Sequence, residues 1–190
     1  MNYAQYKQLY DEILADPNPK APYDNPDYQH YTQLNRSRMK RWDKQLTIAD
    51  PLLRTLQQLD RPQHWIILSE PWCGDAAHSV PFLMAMTQQN KVISYDIQLR
   101  DSPPFLIEHY LTRGSKSIPK LIVRDAQGTD LFTWGPRPKP IQQLMEEMKA
   151  AGNDMESIIL AMQNWYNEDQ GRSLCAELLT CFQQANLQNK

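Results

Sequence analysis

Trp65-Ile66-Ile67-Leu68-Ser69-Glu70-Pro71-Trp72-Cys73-Gly74-Asp75-Ala76 is the stretch that decides how this chain is read. Its first four residues form a short unbroken apolar run, the pattern of a strand buried on both faces. After it Val80, Phe82, Leu83, Met84 and Met86 recur at helical spacing, interrupted by Pro81. A strand passing through 70–76 into a helix puts Cys73 at the helix's first turn. Unpaired backbone N–H groups and the positive end of the helix dipole there favour thiolate over thiol. Thiolate is the nucleophile, and such placements lower a cysteine pKa from ~8.5 to between ~3.5 and ~7.5. Asp75 suits the same helix N-terminus, yet as a like charge near Cys73 it opposes thiolate formation.

Downstream, residues 92–99 alternate and predict a strand, and 105–111 predict a short helix closed by Gly114. Leu121-Ile122-Val123 and the residues 131–134 form a hairpin around Asp125-Ala126-Gln127-Gly128. A helix starting at Pro140 turns Ile141, Leu144, Met145 and Met148 inward and ends at Gly152. The order over 63–152 is β-α-β-α-β-β-α, a mixed sheet with helices on its faces, and is the expected core of an α/β protein.

Residues 1–62 read as an N-terminal helical extension. Tyr3, Tyr6, Tyr10, Ile13 and Leu14 mark the inner face of an opening helix that stops before Asp16-Pro17-Asn18-Pro19. The proline-rich 17–27 is an extended connector. Helix resumes near Tyr28, with Tyr31, Leu34, Met39 and Trp42 on one face and the basic cluster within 36–44 on a solvated one. A third helix has Asp50 as N-cap and Pro51 at its first position, with Leu52, Leu53, Leu56 and Leu59 inward. Residues 153–190 read as a C-terminal helical extension: Met155, Ile158, Ile159, Met162, Trp165 and Tyr166, then Leu174, Leu178, Leu179 and Phe182, with a break at Gly171.

The motif around Cys73 resembles that of the thioredoxin superfamily. Pro81, eight residues past the cysteine, matches a helix-kinking proline common in that family. Ser117-Ile118-Pro119-Lys120-Leu121 is similar to its cis-proline loop leading into a strand, and Gly135 follows the last hairpin at the family's spacing. The resemblance covers about 90 residues, and the element order is also the thioredoxin order. It implies a thioredoxin-like fold with extra helices at both ends. It also implies Cys73 as nucleophile, with Trp72, Gly74, Asp75, Ile118 and Pro119 forming the surface that meets substrate. The sequence departs from the family at three places. Ala76 stands where the second cysteine belongs, Ile67 where a buried acid usually serves as proton acceptor, and Asp75 where a proline is frequent. Without a second thiol, a mixed disulfide has to be cleared by an external one.

Composition bounds the alternatives. The 190 residues carry 20 basic and 22 acidic side chains, a formal net charge of −2, which gives no electrostatic footprint for nucleic acid or an anionic membrane. A mean hydropathy of −0.66 and the lack of a long apolar run argue against a spanning helix. Residues 1–10 show no secretory pattern, so a reducing cytoplasm is expected. The three cysteines are too few for a disulfide scaffold. Cys175 and Cys181 lie ~240° apart around one helix and cannot bridge each other without unwinding it; they read as small core residues, with the alternative that one resolves an adduct on Cys73. His78 lies ~140° around the helix from Cys73 and is expected at an exposed position. His30, His64 and His109 are scattered, so no metal site is expected, and no cofactor. Trp134-Gly135-Pro136-Arg137-Pro138 reads as a rigid loop closing the sheet, or as one presenting Trp134 or Arg137 to a ligand.

Three functions fit these residues. In the first, Cys73 is the nucleophile of a one-thiol oxidoreductase, with protein or small-molecule disulfide and thiol clients and an external thiol reductant. A glutathione-using sub-case is disfavoured, because Trp134-Gly135-Pro136 replaces the glycine pair such proteins carry after the hairpin. In the second, the chain is a non-catalytic interaction module whose Cys73/Pro119 groove holds a protein or peptide. In the third, the C-terminal tail packs across the groove and makes an unrelated site.

Overall fold

Strand β1 (Gln63–Ser69) lies inside the sheet, as its unbroken apolar run requires; Trp65 and Ile67 are fully buried. The computed structural model describes residues 1–188. β1 pairs in parallel with β2 (Ile93–Leu99), Ile67 opposite Ile97, and antiparallel with β3 (Lys120–Asp125), Ile67 opposite Leu121. β3 turns back into β4 (Asp130–Trp134), giving a mixed sheet in the order β2-β1-β3-β4. The parallel pair needs a crossover, and one of its elements is α4 (Gly74–Thr87), which starts right after Cys73 and carries Pro81 in its interior.

The helices before the sheet are α1 (Tyr3–Ala15), α2 (Pro26–Gln45) and α3 (Asp50–Gln57). After it come α5 (Lys139–Ala150), α6 (Met155–Asp169) and α7 (Arg172–Gln188). α2 packs on α4, α5 on α6, and α7 on both α3 and β4. One continuous apolar core takes in Tyr6 and Tyr10 of α1, Met39 and Trp42 of α2, Leu56 of α3 and Phe182 of α7. The Phe182 ring meets Trp65 at 5.8 Å and Phe132 at 4.9 Å, which fixes α7 across the sheet. This is the α/β, thioredoxin-like architecture with extra terminal helices that the resemblance implied.

Several local expectations shift. The helix expected over 105–111 is a single 3-10 turn, Leu106–His109; the paired prolines ahead of it and Phe105 at a φ of 56° leave no room for a longer one. Ala49 caps α3, and Asp50 is its first helical residue, with no side-chain cap bond. Leu14 and Leu34 are exposed rather than inward. On α2 the buried face is Thr32, Asn35, Met39 and Trp42, because this helix lies on the polar backbone of the 70–76 loop: Asn35 Nδ2 donates to the Pro71 carbonyl at 3.0 Å. The basic side chains of α2 do not share one solvated face. Arg36 pairs with Asp11, Arg41 reaches Asn167 at 2.7 Å, and Arg38 is half-buried beside Asn35.

Two glycines are required by close approach. Gly135 has a φ of 119°, and a Cβ there would stand 2.2 Å from the Pro119 carbonyl oxygen. Gly171, with a φ of 78°, makes the expected break between α6 and α7; a Cβ on it would fall 2.3 Å from the Phe82 ring.

Candidate functional site

The turn after β1 delivers Cys73 as the N-cap of α4. Its Sγ accepts from the Ala76 N–H at 3.4 Å and donates to the Ile118 carbonyl at 3.3 Å. The Ile118–Pro119 peptide is cis, as the resemblance implied, and Gly135 packs against the Pro119 carbonyl that follows it. Cys73 and the cis-proline loop, 45 residues apart in sequence, are thus joined by one hydrogen bond. Among the described residues the Ile118 N–H has no backbone acceptor.

The environment of Cys73 works against a thiolate. The residue is 7% exposed, and its pKa is pushed up to about 12. Burial is the larger cause and the Asp75 charge the next; the Ala76 N–H and the Arg137 charge pull the other way without winning. The helix-start advantage read from the sequence is therefore present, and it is outweighed.

Asp75 is the centre of a second constellation. Arg137 donates to its Oδ2 through Nε at 2.8 Å, and Tyr166 of α6 donates its hydroxyl to Oδ1 at 2.7 Å. The Tyr166 ring stacks on His78 at 4.1 Å and 6°. His78 is buried, not exposed as expected, because α2 and α6 cover the face of α4 that carries it. Its Nδ1 accepts from the Trp42 indole N–H at 2.9 Å, which makes Nε2 the protonated nitrogen, donating to Gln163 Oε1 at 3.1 Å. Burial and the nearby Arg38 charge drive its pKa down to about 3, so the ring is neutral.

Trp72 is held between the Tyr28 ring, edge-on at 5.4 Å, and the Arg100 guanidinium at 4.7 Å. It separates two cavities. One, of about 450 Å³, is the groove formed by Trp72, Cys73, Gly74, Asp75 and Ile118 with the 115–117 loop. The other, of about 440 Å³, opens on the far side between α2, α5 and α6 and also reaches Gly74 and Asp75. Arg137 lines both, whereas Trp134 is buried with its indole N–H on Glu177, so of the two loop candidates Arg137 faces the cavities. Pro119 is buried and sets the backbone of Ile118.

Five of the six site residues expected from sequence line one groove; Arg38, Gln163 and Tyr166 were missed. For the two on α6 the one signal was the 3.6-residue spacing of Ile158, Ile159, Met162 and Tyr166, which marks an inward face without saying what it covers; Arg38 stood in the basic cluster of α2. Glu70 was missed too: it is a buried acid accepting from the Asp101 N–H at 3.2 Å, its pKa raised chiefly by burial. All three cysteines are free, and Cys175 lies in a separate recess beside Trp42 and Ala49. Among the described residues no group of three or more His, Cys, Asp or Glu is placed to hold a metal ion, and no helix is long and apolar enough to cross a membrane.

A family model described as thioredoxin matches residues 21–149, more than half of the chain. None of the curated proteins matches the sequence. Among solved structures, a protein of unknown function from Pseudomonas aeruginosa is similar with a TM-score of 0.55 and 16% identity, over 97% of this chain and 99% of that one. An HIV epitope scaffold gives a TM-score of 0.54 and 13% identity over 97% and 99%. At these identities the likeness concerns the fold.

Proposed function

We infer that this chain, which belongs to the thioredoxin family, acts as a binding module, holding an extended protein or peptide segment in the Cys73–Ile118 groove without thiol chemistry. The observation that carries this reading is the state of Cys73: 7% exposed, bonded through its S–H to Ile118, with a pKa pushed up to about 12. At neutral pH such a thiol is protonated and a weak nucleophile. Ala76 removes the second thiol that would release a client. What the groove retains is backbone: the free Ile118 N–H beside the cis peptide is a donor that an extended partner strand can use. In this reading the core 63–152 supplies the groove, while the extensions 1–62 and 153–190 line the neighbouring cavity.

A one-thiol oxidoreductase is the second reading, favoured by the Ala76 N–H aimed at Sγ. In it the Cys73 thiolate attacks a client disulfide, forming a mixed disulfide and expelling a client thiolate, and an external thiol then releases the adduct. Alkylation by iodoacetamide between pH 6 and pH 10, followed by peptide mapping, decides between them. Binding without chemistry predicts that Cys73 is alkylated more slowly than the half-buried Cys181 and that glutathione disulfide leaves it unmodified. A rate plateau with a midpoint at or below ~8.5, together with a mixed disulfide on Cys73, establishes the oxidoreductase instead.

A further inference from the structure

The 440 Å³ cavity beyond Trp72 is of the size that takes small molecules, roughly 300–1,000 Å³. Its walls are largely apolar: Tyr28 and Tyr31 from α2, Met145 from α5, and Ile158, Ile159 and Met162 from α6. The polar groups in it are unevenly matched. The Asp75 carboxylate is answered by Arg137 and Tyr166. His78 is neutral and satisfied by Trp42 and Gln163. Asp27, at the first turn of α2, is exposed to solvent.

Arg38 is different. Its guanidinium is half-buried, donates one bond to Asn35 Oδ1 at 2.8 Å, and forms no ion pair among the described residues. Burial, then the neighbouring Arg41 charge, act against its positive charge, and Tyr31 and the more distant Asp75 only partly offset them. An arginine stays charged in proteins, and a half-buried one without a carboxylate is the complement of a planar anion. The indole N–H of Trp72, on the same wall, is also buried without a partner among the described residues.

We propose that this cavity binds an amphiphilic monocarboxylate, an unbranched medium-chain acid whose carboxylate pairs with Arg38 and whose alkyl chain lies against Met145, Ile159 and Met162. Methionines suit that role, being flexible and polarizable enough to close around a chain of variable shape. No bond is made or broken. The site is separate from the Cys73 groove, sharing with it only Trp72, Gly74, Asp75 and Arg137.

The test is calorimetric titration of the full chain with hexanoate, octanoate and decanoate below their micelle concentrations, and with 1-octanol. Affinity is expected to rise roughly tenfold for each two added methylenes, and octanoate to bind at least tenfold more tightly than octanol. Arg38→Gln should weaken octanoate tenfold or more and leave octanol unchanged. Ile159→Glu should weaken both, and Cys73→Ser neither. Octanol binding as tightly as octanoate, no binding by any acid, or full octanoate affinity in folded Arg38→Gln overturns the proposal. If Arg38→Gln does not fold, the comparison of acid and alcohol on the unaltered protein decides alone. The thiol test of the groove is unaffected by any of these results.

Discussion

Protonating His78 should destabilise this protein in mild acid. The imidazole sits 4% exposed between Trp42, Gln163 and Tyr166, with Arg38 and Arg41 as the charges that act on it. Its Nδ1 is occupied by an incoming indole N–H, so a second ring proton meets a donor where it needs an acceptor. The folded pKa is about 3 against 6.5 for an unhindered ring. Between these values the unfolded chain binds one more proton than the folded one, so stability falls as pH falls. The loss begins near pH 6.5, reaches about 2 kcal/mol at pH 5, and is capped near 5 kcal/mol, at about 1.4 kcal/mol per pH unit. Urea unfolding at pH 7.5, 6, 5 and 4 on the wild type and on His78→Asn isolates this contribution. The asparagine oxygen takes the place of Nδ1 toward Trp42 and does not titrate. The variant should start lower at pH 7.5, by about 1–3 kcal/mol for the lost Gln163 bond and ring stacking. Its pH profile should then be flatter than the wild type's by about 2 kcal/mol between pH 7.5 and pH 5. Glu70 shifts the other way, its burial favouring the protonated fold in acid, and this cancels in the difference. Parallel profiles, or an imidazole resonance titrating near 6.5 in the folded protein, would refute the reasoning.

Other perturbations follow from the same constellation. Arg137→Met leaves the buried Asp75 carboxylate with Tyr166 as its remaining hydrogen-bonding side chain and should cost about 3–5 kcal/mol by chemical denaturation. Tyr166→Phe removes one charge-assisted bond and should cost less, about 1.5–3 kcal/mol; a larger loss for Tyr166→Phe than for Arg137→Met reverses the expected order. Gly135→Ala should destabilise by more than about 3 kcal/mol, because the left-handed φ and the 2.2 Å overlap with the Pro119 carbonyl fall on backbone that cannot give way; an unchanged melting temperature speaks against the close packing. In alkali the sign is opposite to that of His78. With Cys73 at about 12 in the fold against 9.0 unfolded, the folded chain holds its proton longer, and stability drops from pH 9 upward by about 1 kcal/mol per unit. Tyr6, Tyr10 and Tyr166 act in the same direction at higher pH. Cys73→Ser should flatten the slope between pH 9 and pH 10 in denaturant midpoints.

The fold was legible because its deciding signals are local. A continuous apolar run, a cysteine before a helix, a proline eight residues on and an Ile-Pro-Lys strand entry can each be read from a short segment of chain. The groove followed from them, since β1 and β3 are neighbours and bring Cys73 to Ile118. The electrostatics of the groove were not legible. Sequence puts a helix dipole and a carboxylate at Cys73 with opposite effects, and only burial, which comes from packing the whole chain, settles the balance. His78 failed for the same reason: its angle on α4 was right, but an exposed position requires that nothing covers that face, and α2 and α6 both do. Arg38 looked like one member of a basic stripe, and its half-burial depends on Asn35 docking under the Pro71 carbonyl.

The terminal extensions are therefore part of the site rather than decoration. Tyr166 comes from α6 and Trp42 and Arg38 from α2, yet all three act on Asp75 or His78 in the first two turns of α4. A thiolate that is to meet a client needs an accessible face beside the cysteine. Here the face next to it is filled by an aromatic stack and an arginine–aspartate pair, and Asp75 is committed to holding Arg137 and Tyr166. That arrangement trades exposure of the thiol for a rigid wall between two cavities, with Trp72 and Gly74 as its shared edge.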